Sequence, residues 1–333
     1  MKALVTGATG FIGSSLVEEL DTIGFEVFAL MRKRSSAANL DGLKYKVIEG
    51  DLGNQDSLNQ AVQGMDYVFH LAGATTASNR GAYFEANSAG TARLAKAVAD
   101  FRPQLTRFVY VSSLAAAGPS QSLSPRTETD PDSPVSAYGE SKLQGEKEVL
   151  AFAEKYPLSI VRPPMVYGPK DKGVFVMIQS VARHVMPILR GSTEGGHKYY
   201  SMIYAKDLCR GIVQAGVVAR DKSPSGDIFY LCGDGIHTYL DIMTTIAEKL
   251  NCDPLRINIP KFFVRAAGAG LSGIGVLTRR TFPLNLDKVN EILPDYWICS
   301  NQKAKRVLGF VPEFDLSSGM AQAIEWYKRQ KWI

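Results

Sequence analysis

The sequence predicts an α/β fold: a doubly wound parallel sheet with a smaller, mostly C-terminal α/β unit. Three observations predict it. Short apolar runs alternate with helix-length stretches through the first half of the 333-residue chain, and such alternation specifies βαβ units with right-handed crossovers. A glycine turn separates the first run from the first helical stretch. Small and polar residues close the runs, at the carboxyl ends of strands where open parallel sheets bind ligands.

The elements follow in order. Lys2–Thr6 is an apolar run leading through Gly7-Ala8-Thr9-Gly10 into a helical pattern from Phe11 to Ile23. Glu26–Met31 and Tyr45–Glu49 read as strands, Ser57–Val62 as a short helix, and Tyr67–Leu71 as the next strand. An alanine-rich helix at Ala82–Ala99, a strand at Phe108–Val111, a long helix at Ser136–Tyr156 and a strand at Leu158–Val161 complete the alternation. Beyond Pro163 the pattern loosens. Asp227–Leu231 could add a strand, Thr238 caps a helix at Tyr239–Leu250, and an amphipathic helix closes the chain from Leu316 to Gln330. Pro254–Pro283 reads as irregular and apolar. The division expected is a dinucleotide-binding unit at 1–168, with return segments near 201–235, and a substrate-binding unit at 169–200 and 236–333. The proline-rich stretch Gly118–Val135 reads as a lid, since loops longer than about 12–15 residues in compact domains are often functional.

Composition narrows the class. With 45% hydrophobic and 21% charged residues, the chain is neither disordered nor fibrous. Four cysteines without C-x-x-C spacing, and a start that runs straight into a strand, lead us to expect a reducing cytoplasm. A net charge of +5 with no broad basic face argues against nucleic acid as partner. His70, His184, His197 and His237 show no metal-ligand spacing among themselves or with the cysteines, so no metal is expected.

The turn Gly7-Ala8-Thr9-Gly10-Phe11-Ile12-Gly13 places glycines where a pyrophosphate must approach the backbone and a helix N-terminus must face it. NAD-binding domains carry Asp or Glu at the end of the second strand for the ribose 2′-OH. Here Met31 is followed by Arg32, Lys33 and Arg34, groups suited to a 2′-phosphate. NADP is therefore expected, with NAD as the other candidate and a merely solvated basic turn as the bland reading. Asp51, before Leu52, could accept the adenine amino group or cap a helix. Leu71-Ala72-Gly73 let a cofactor pass close to the backbone.

Tyr138 and Lys142 stand at i and i+4 on one helix and so share a face. A free tyrosine titrates near about 10, and a neighbouring ammonium lowers that value toward working pH. Ser113, at a strand's carboxyl end, can hold a substrate oxygen toward Tyr138. Together these residues read as acid–base machinery.

The motifs TGATGFIG at 6–13, GDL at 50–52, HLAG at 70–73, NSAGT from Asn87, VSSLAAAG at 111–118, YGESK at 138–142 and RPPMVYGP at 162–169 resemble the extended short-chain dehydrogenase/reductases of the NAD-dependent epimerase/dehydratase superfamily, with a Rossmann-type sheet. The tail motifs KAKRVLGFVP at 303–312 and EWYKRQKWI at 325–333 resemble its dihydroflavonol reductase and 3β-hydroxysteroid dehydrogenase branch. The resemblance implies hydride transfer between nicotinamide and a substrate carbon. Tyr138 would be the acid in reduction and the base in oxidation, with Lys142 lowering its pKa and holding the nicotinamide ribose. Ser113 would bind the substrate oxygen, with Ser112 nearer the cofactor. Asn87 would support Lys142 or the nicotinamide, or else fix a helix kink. Pro163, Met165 and Val166 would line the nicotinamide pocket, and a homodimer is implied.

Departures from the family pattern choose among reactions. Leu114-Ala115 follows Ser113 where sugar dehydratases of this type carry an acidic pair. The stretch before 202–208 offers only Lys198 and His197 to a sugar-nucleotide diphosphate, with Arg190 just outside it. An NADPH-dependent reductase of an apolar carbonyl compound is expected. The alternatives are an NAD-dependent nucleotide-sugar epimerase and a non-catalytic NADP-binding sensor. Residues 261–284 supply Phe262, Phe263, Leu271, Ile274, Val276, Leu277 and Phe282, with Lys261, Arg279 and Arg280 flanking them. They could form a substrate wall, ordinary core, or a contact with membrane or lipid.

Overall fold

A computed structural model describes residues 1–278 and 286–333. Seven strands form one all-parallel sheet in the order Asp227–Tyr230, Leu158–Arg162, Arg107–Val111, Tyr67–His70, Lys2–Thr6, Glu26–Met31, Lys46–Glu49. This is the doubly wound, Rossmann-type sheet the alternation predicts. The winding reverses between Lys2–Thr6 and Tyr67–His70, where Thr6 pairs with His70. That reversal opens a crevice at the carboxyl edge, and the glycine turn begins there.

Helices cover both faces. Phe11–Thr22 and Ala205–Val217 enclose one core around Val5, Phe69, Val109 and Phe229. Gln55–Ala61, Gly90–Phe101 and Ala137–Leu150 enclose the other around Leu4, Val68, Phe108 and Ile160. Strands buried on both faces need the continuous apolar runs seen in the sequence. A third core joins Phe175–Ala182, Tyr239–Leu250 and Leu316–Arg329 through Ile178, Ile246, Met320 and Tyr327. Thr238 caps Tyr239–Leu250 in a reciprocal capping box with Asp241. Ala304 and Phe310, in the stretch expected to serve the substrate-binding unit, pack into the sheet's core.

Several boundaries differ from expectation for physical reasons. The helix expected at Ala82–Ala99 starts at Arg80 behind the Asn79 cap and is interrupted by a π-helical segment, Glu85–Ala89. The helix expected at Ser136–Tyr156 ends at Leu150, with Ser136 as its cap. Pro254–Pro283 is not irregular. Leu255–Ile259 pairs in parallel with Val185–Leu189, and Lys261–Thr278 is helical. Glycines scattered through that helix blur its apolar period, which hid it from the sequence pattern. Phe262 and Phe263 are 72% and 62% exposed, so neither belongs to a core. Arg279, Arg280 and Phe282, and the side chains of Ile274, Val276 and Leu277, lie outside the described residues. Among the described residues no helix is long and apolar enough to cross a membrane.

Candidate active site

The glycine turn is held by contact, not composition. Gly7 has φ +72°, and a Cβ there would sit 2.7 Å from the Ala72 nitrogen. A Cβ at Gly13 would sit 2.0 Å from the Gly7 carbonyl oxygen, so the helix seats directly on the turn. Gly10 caps the Phe11–Thr22 helix with no side-chain bond and no acidic residue in the first turn. The first N–H groups of that helix have no helical partner. Bare donors at the positive end of a helix dipole, beside glycine, suit a pyrophosphate. Asn39 Nδ2 holds the Thr9 carbonyl at 2.9 Å, and Cys209 Sγ lies 3.6 Å from that of Ile12.

Beside the turn, a cleft of about 590 Å³ is lined by Arg32, Lys33, Arg34, Glu49, Gly50, Asp51, Asn54 and Ser57. The three basic side chains are exposed. Asn54, not Asp51, caps the helix Gln55–Ala61, accepting from the Ser57 N–H at 3.1 Å. Asp51 instead turns the chain by accepting from Gly53 N–H at 2.7 Å. The Leu52 carbonyl receives Arg93 Nε at 2.5 Å. Glu49, which pairs with Met31 across the strands, puts in the same cleft a carboxylate that the motif reading overlooked.

Behind the crevice runs a buried relay with defined directions. The Ala72 N–H donates to Thr6 Oγ1 at 3.1 Å, and Thr6 Oγ1 lies 2.6 Å from His70 Nδ1. On the other side His70 Nε2 lies 2.9 Å from Thr91 Oγ1, whose hydroxyl donates to the Asn87 carbonyl at 2.8 Å. Thr91 has spent its one proton on Asn87 and can only accept from Nε2, so the neutral ring carries its proton there and Nδ1 accepts from the Thr6 hydroxyl. Burial, followed by the Lys142 charge, takes its pKa down to about 3. The Asn87 side chain, in the π segment, accepts from Ala74 N–H at 2.7 Å and donates to the Ala74 carbonyl and Ser141 Oγ, each at 2.9 Å. It thereby ties the Leu71-Ala72-Gly73 strand end to the helix of Tyr138.

Ser136 Oγ accepts from Gly139 N–H at 3.0 Å and so starts the helix that carries Tyr138 and Lys142. Burial pushes the Tyr138 phenol well above its ordinary value, and a hydrogen bond with the Ser113 hydroxyl lowers it only in part. Ser113 also caps the Leu114–Ala117 turn. Lys142, one turn on along the same helix, makes its polar contact on the sheet side. Its Nζ donates to the Val111 carbonyl at 2.7 Å and lies 4.4 Å from the centre of the Tyr110 ring. Burial brings its pKa from 10.5 to about 7, against the attraction of Glu146.

The Ser112 hydroxyl donates to Glu146. Glu146 in turn holds Arg162 through Nε at 2.9 Å and Nη2 at 2.5 Å. Arg162 also reaches Asp132 at 2.7 and 3.0 Å. This buried network pins Gly118–Val135, and so do three further contacts. Ser120 N–H donates to the Tyr296 carbonyl at 2.8 Å, Arg126 N–H to that of Ile298 at 3.1 Å, and Tyr230 N–H to Glu128 at 3.0 Å. The stretch is a strapped loop, not the lid expected of it. Pro163 is buried and its carbonyl receives Leu114 N–H at 2.8 Å, while Met165 and Val166 are half-buried in a short strand beside Met202–Tyr204.

Lys198 is buried, its Nζ held by the carbonyls of Leu293 and Pro294 at 2.9 and 2.7 Å and by Asp295 at 3.1 Å. It is committed to the fold. The helix Leu286–Ile292, which motif reading missed, brings Asp287, Lys288 and Glu291 to the start of the Tyr138 helix.

A model of the NAD dependent epimerase/dehydratase family matches residues 3–232, most of the chain, and the protein belongs to that family. It is 30% identical to a ceramide reductase of Caulobacter vibrioides over 99% of this chain and 95% of that one. It is 26% identical to sterol demethylase protein B of Methylococcus capsulatus over the full length of both. Among solved structures it resembles a UDP-glucuronic acid 4-epimerase from Bacillus cereus in complex with UDP-glucuronic acid and NAD. The TM-score is 0.79 and the identity 23%, covering 99% and 100% of the two chains, a likeness of fold. The chain is an oxidoreductase of this family, acting on CH–OH groups with a nicotinamide cofactor.

Proposed function

We propose that this member of the NAD dependent epimerase/dehydratase family is an NADP(H)-dependent reductase that interconverts a carbonyl and a secondary alcohol on a largely apolar small molecule. The observation that carries the reading is Tyr138, half-buried on the helix that the Ser136 cap starts, with its phenol against Ser113 at the carboxyl edge of the sheet and desolvation favouring its protonated form. A carbonyl oxygen set beside both hydroxyls would accept from Ser113 and take its proton from Tyr138. The turn Gly7 to Gly13 with Thr9, Gly10, Phe11 and Ile12 would hold the pyrophosphate, and Arg32 and Lys33 the 2′-phosphate. Asp51 and Leu52 would border the adenine, Leu71, Ala72 and Gly73 the ribose, and Pro163, Met165 and Val166 the nicotinamide, with Lys142 on its ribose. When bound, the cofactor supplies or accepts the hydride.

An apolar substrate is supported by Lys198, which is spent on backbone carbonyls and not on a diphosphate, and by relatives named for a ceramide and a sterol. The sugar-nucleotide epimerase reading keeps one observation in its favour, Glu49 in the cofactor cleft. Exposed Phe262 and Phe263 beside Lys261 and Arg265 support contact with a lipid surface, which vesicle sedimentation would test. Exposed Phe101 and Leu150, on adjacent helices, support a homodimer, which light scattering would test.

The deciding experiment is a fluorescence titration with NADPH and NADH on wild type and Arg32→Asp. NADPH should bind at least about tenfold tighter, roughly 1.4 kcal/mol, and Arg32→Asp should weaken NADPH more than NADH. Copurified NAD(H) would favour the epimerase and call for sugar nucleotides as substrates, and equal losses for both nucleotides would show the basic turn to be solvated surface.

A further inference from the structure

Three side chains of the Leu286–Ile292 helix, some 150 residues away in sequence, converge on the start of the Tyr138 helix. Asp287 accepts the backbone N–H groups of Ala137 (Oδ1, 2.5 Å) and Tyr138 (Oδ2, 3.3 Å). Glu291 accepts the Ser136 hydroxyl at 2.7 Å, and its own carbonyl receives Trp297 Nε1 at 2.6 Å. These bonds dock the segment and fill donors a helix start leaves open. They do not account for Lys288. Its Nζ lies 2.6 Å from Glu291 Oε2 and 5.0 Å from the centre of the Tyr138 ring.

A cation over a tyrosine ring is attracted to it, and an adjacent positive charge favours the phenolate over the phenol. Glu291 works in the opposite sense and helps hold the proton on Tyr138. Among the described residues, Tyr83, with its ring 6.0 Å away, Tyr110 and Ser113 also act on this phenol, while Asp287 holds the Tyr138 backbone N–H and Lys142 stands one turn on along the same helix. Lys142 is held on the Val111 carbonyl, and among the described residues Lys288 is the cation seated over the ring.

We propose that Lys288 and Glu291 form a charge couple, delivered by the C-terminal segment, that tunes Tyr138 as an acid. They are positioning residues, and the inference rests on reading Tyr138 as the acid–base group. While the couple is intact each charge offsets part of the other's effect at the phenol. Breaking either half exposes the other, with opposite signs.

The test is a tyrosinate difference-absorbance titration of the protein saturated with NADP⁺, using Tyr138→Phe as the blank so that only Tyr138 is read. Glu291→Gln keeps an oxygen for the Ser136 hydroxyl and should bring the midpoint down by about one pH unit, a tenfold change in proton affinity. Lys288→Gln should move it up, and Lys288→Arg should restore the wild-type value. A Glu291→Gln midpoint no lower than wild type, or the same direction of shift in both variants, would overturn the couple. This readout needs no substrate. A failed couple therefore leaves turnover dependent on Tyr138, whereas a wrong reading of Tyr138 shows as unchanged turnover in Tyr138→Phe.

Discussion

Replacing Lys142 with methionine should separate stability from activity. The side chain is only 4% exposed, and burial takes its pKa from 10.5 to about 7. At about 1.4 kcal/mol per pH unit, the buried ammonium costs the fold roughly 5 kcal/mol in acid and about 4 at pH 7. The unfolded chain keeps this proton up to about pH 10.5, while the folded chain releases it from about 7. The unfolded state thus binds more protons across that window, and folded stability rises with pH through it. Methionine removes the penalty but leaves the Val111 carbonyl without its donor, a loss of about 2 kcal/mol. The variant should gain about 2 kcal/mol at pH 7, which for a chain of this size raises Tm by about 3 °C. The advantage should shrink as pH rises, cross zero near about pH 9, where the wild-type penalty has itself fallen to about 2 kcal/mol, and reverse above it. Calorimetry of both proteins from pH 6 to 10 reads this directly, and turnover should fall by orders of magnitude. A variant less stable than wild type at pH 7, by an amount that does not change with pH, would refute the argument.

Tyr138→Phe should lower turnover at least about a hundredfold, the scale of a lost general acid, with NADPH affinity nearly intact; unchanged turnover would remove Tyr138 from the mechanism. Arg162→Met should cost about 3–5 kcal/mol, because it strands Glu146 and Asp132 without their cation. Chemical denaturation would read that loss. Limited proteolysis should then cut within Gly118–Val135, and a loop that stays resistant would mean the arginine is not what straps it.

How much of this was legible depends on whether the signal is local. The seven strands of the sheet could be read because apolar runs and glycine turns are short-range patterns, and the parallel sheet followed from their order. The cofactor edge could be read because strand ends are sequence positions: Gly7, Arg32, Asp51, Gly73, Ser113 and Pro163 all close or follow strands. Directions of side chains could not. Ser112 and Ser113 are neighbours, yet one donates to Glu146 and the other bonds Tyr138; alternation along the chain separates their faces, but no pattern says which face holds Arg162. Lys142 shares the helical face of Tyr138 and still reaches for Val111, since the lowest-energy partner of a buried ammonium is set by tertiary packing. Asp287 and Glu291 were illegible for the same reason. Carboxylates that complete a helix start from about 150 residues away leave no spacing to find.

Burial acts on Tyr138 and Lys142 in one electrostatic sense, disfavouring charge on both. For tyrosine that means keeping the proton, and for lysine it means yielding it near neutrality. The helix therefore carries a phenol and, one turn on, a readily neutralised amine, and a phenol is what carbonyl reduction requires. Alcohol oxidation requires phenolate, which this pocket stabilises only when positive charge is set against it. The oxidised nicotinamide carries such a charge and the reduced one does not. Tyr138 would then hold its proton while reduced cofactor is in place and become able to ionise beside the oxidised form. The direction of chemistry would follow the redox state of the cofactor, with no separate switch in the protein. Lys288 fits this scheme as a cation whose effect Glu291 offsets. A standing positive charge over the ring would favour phenolate whichever cofactor is bound, whereas a compensated one leaves that choice to the nicotinamide.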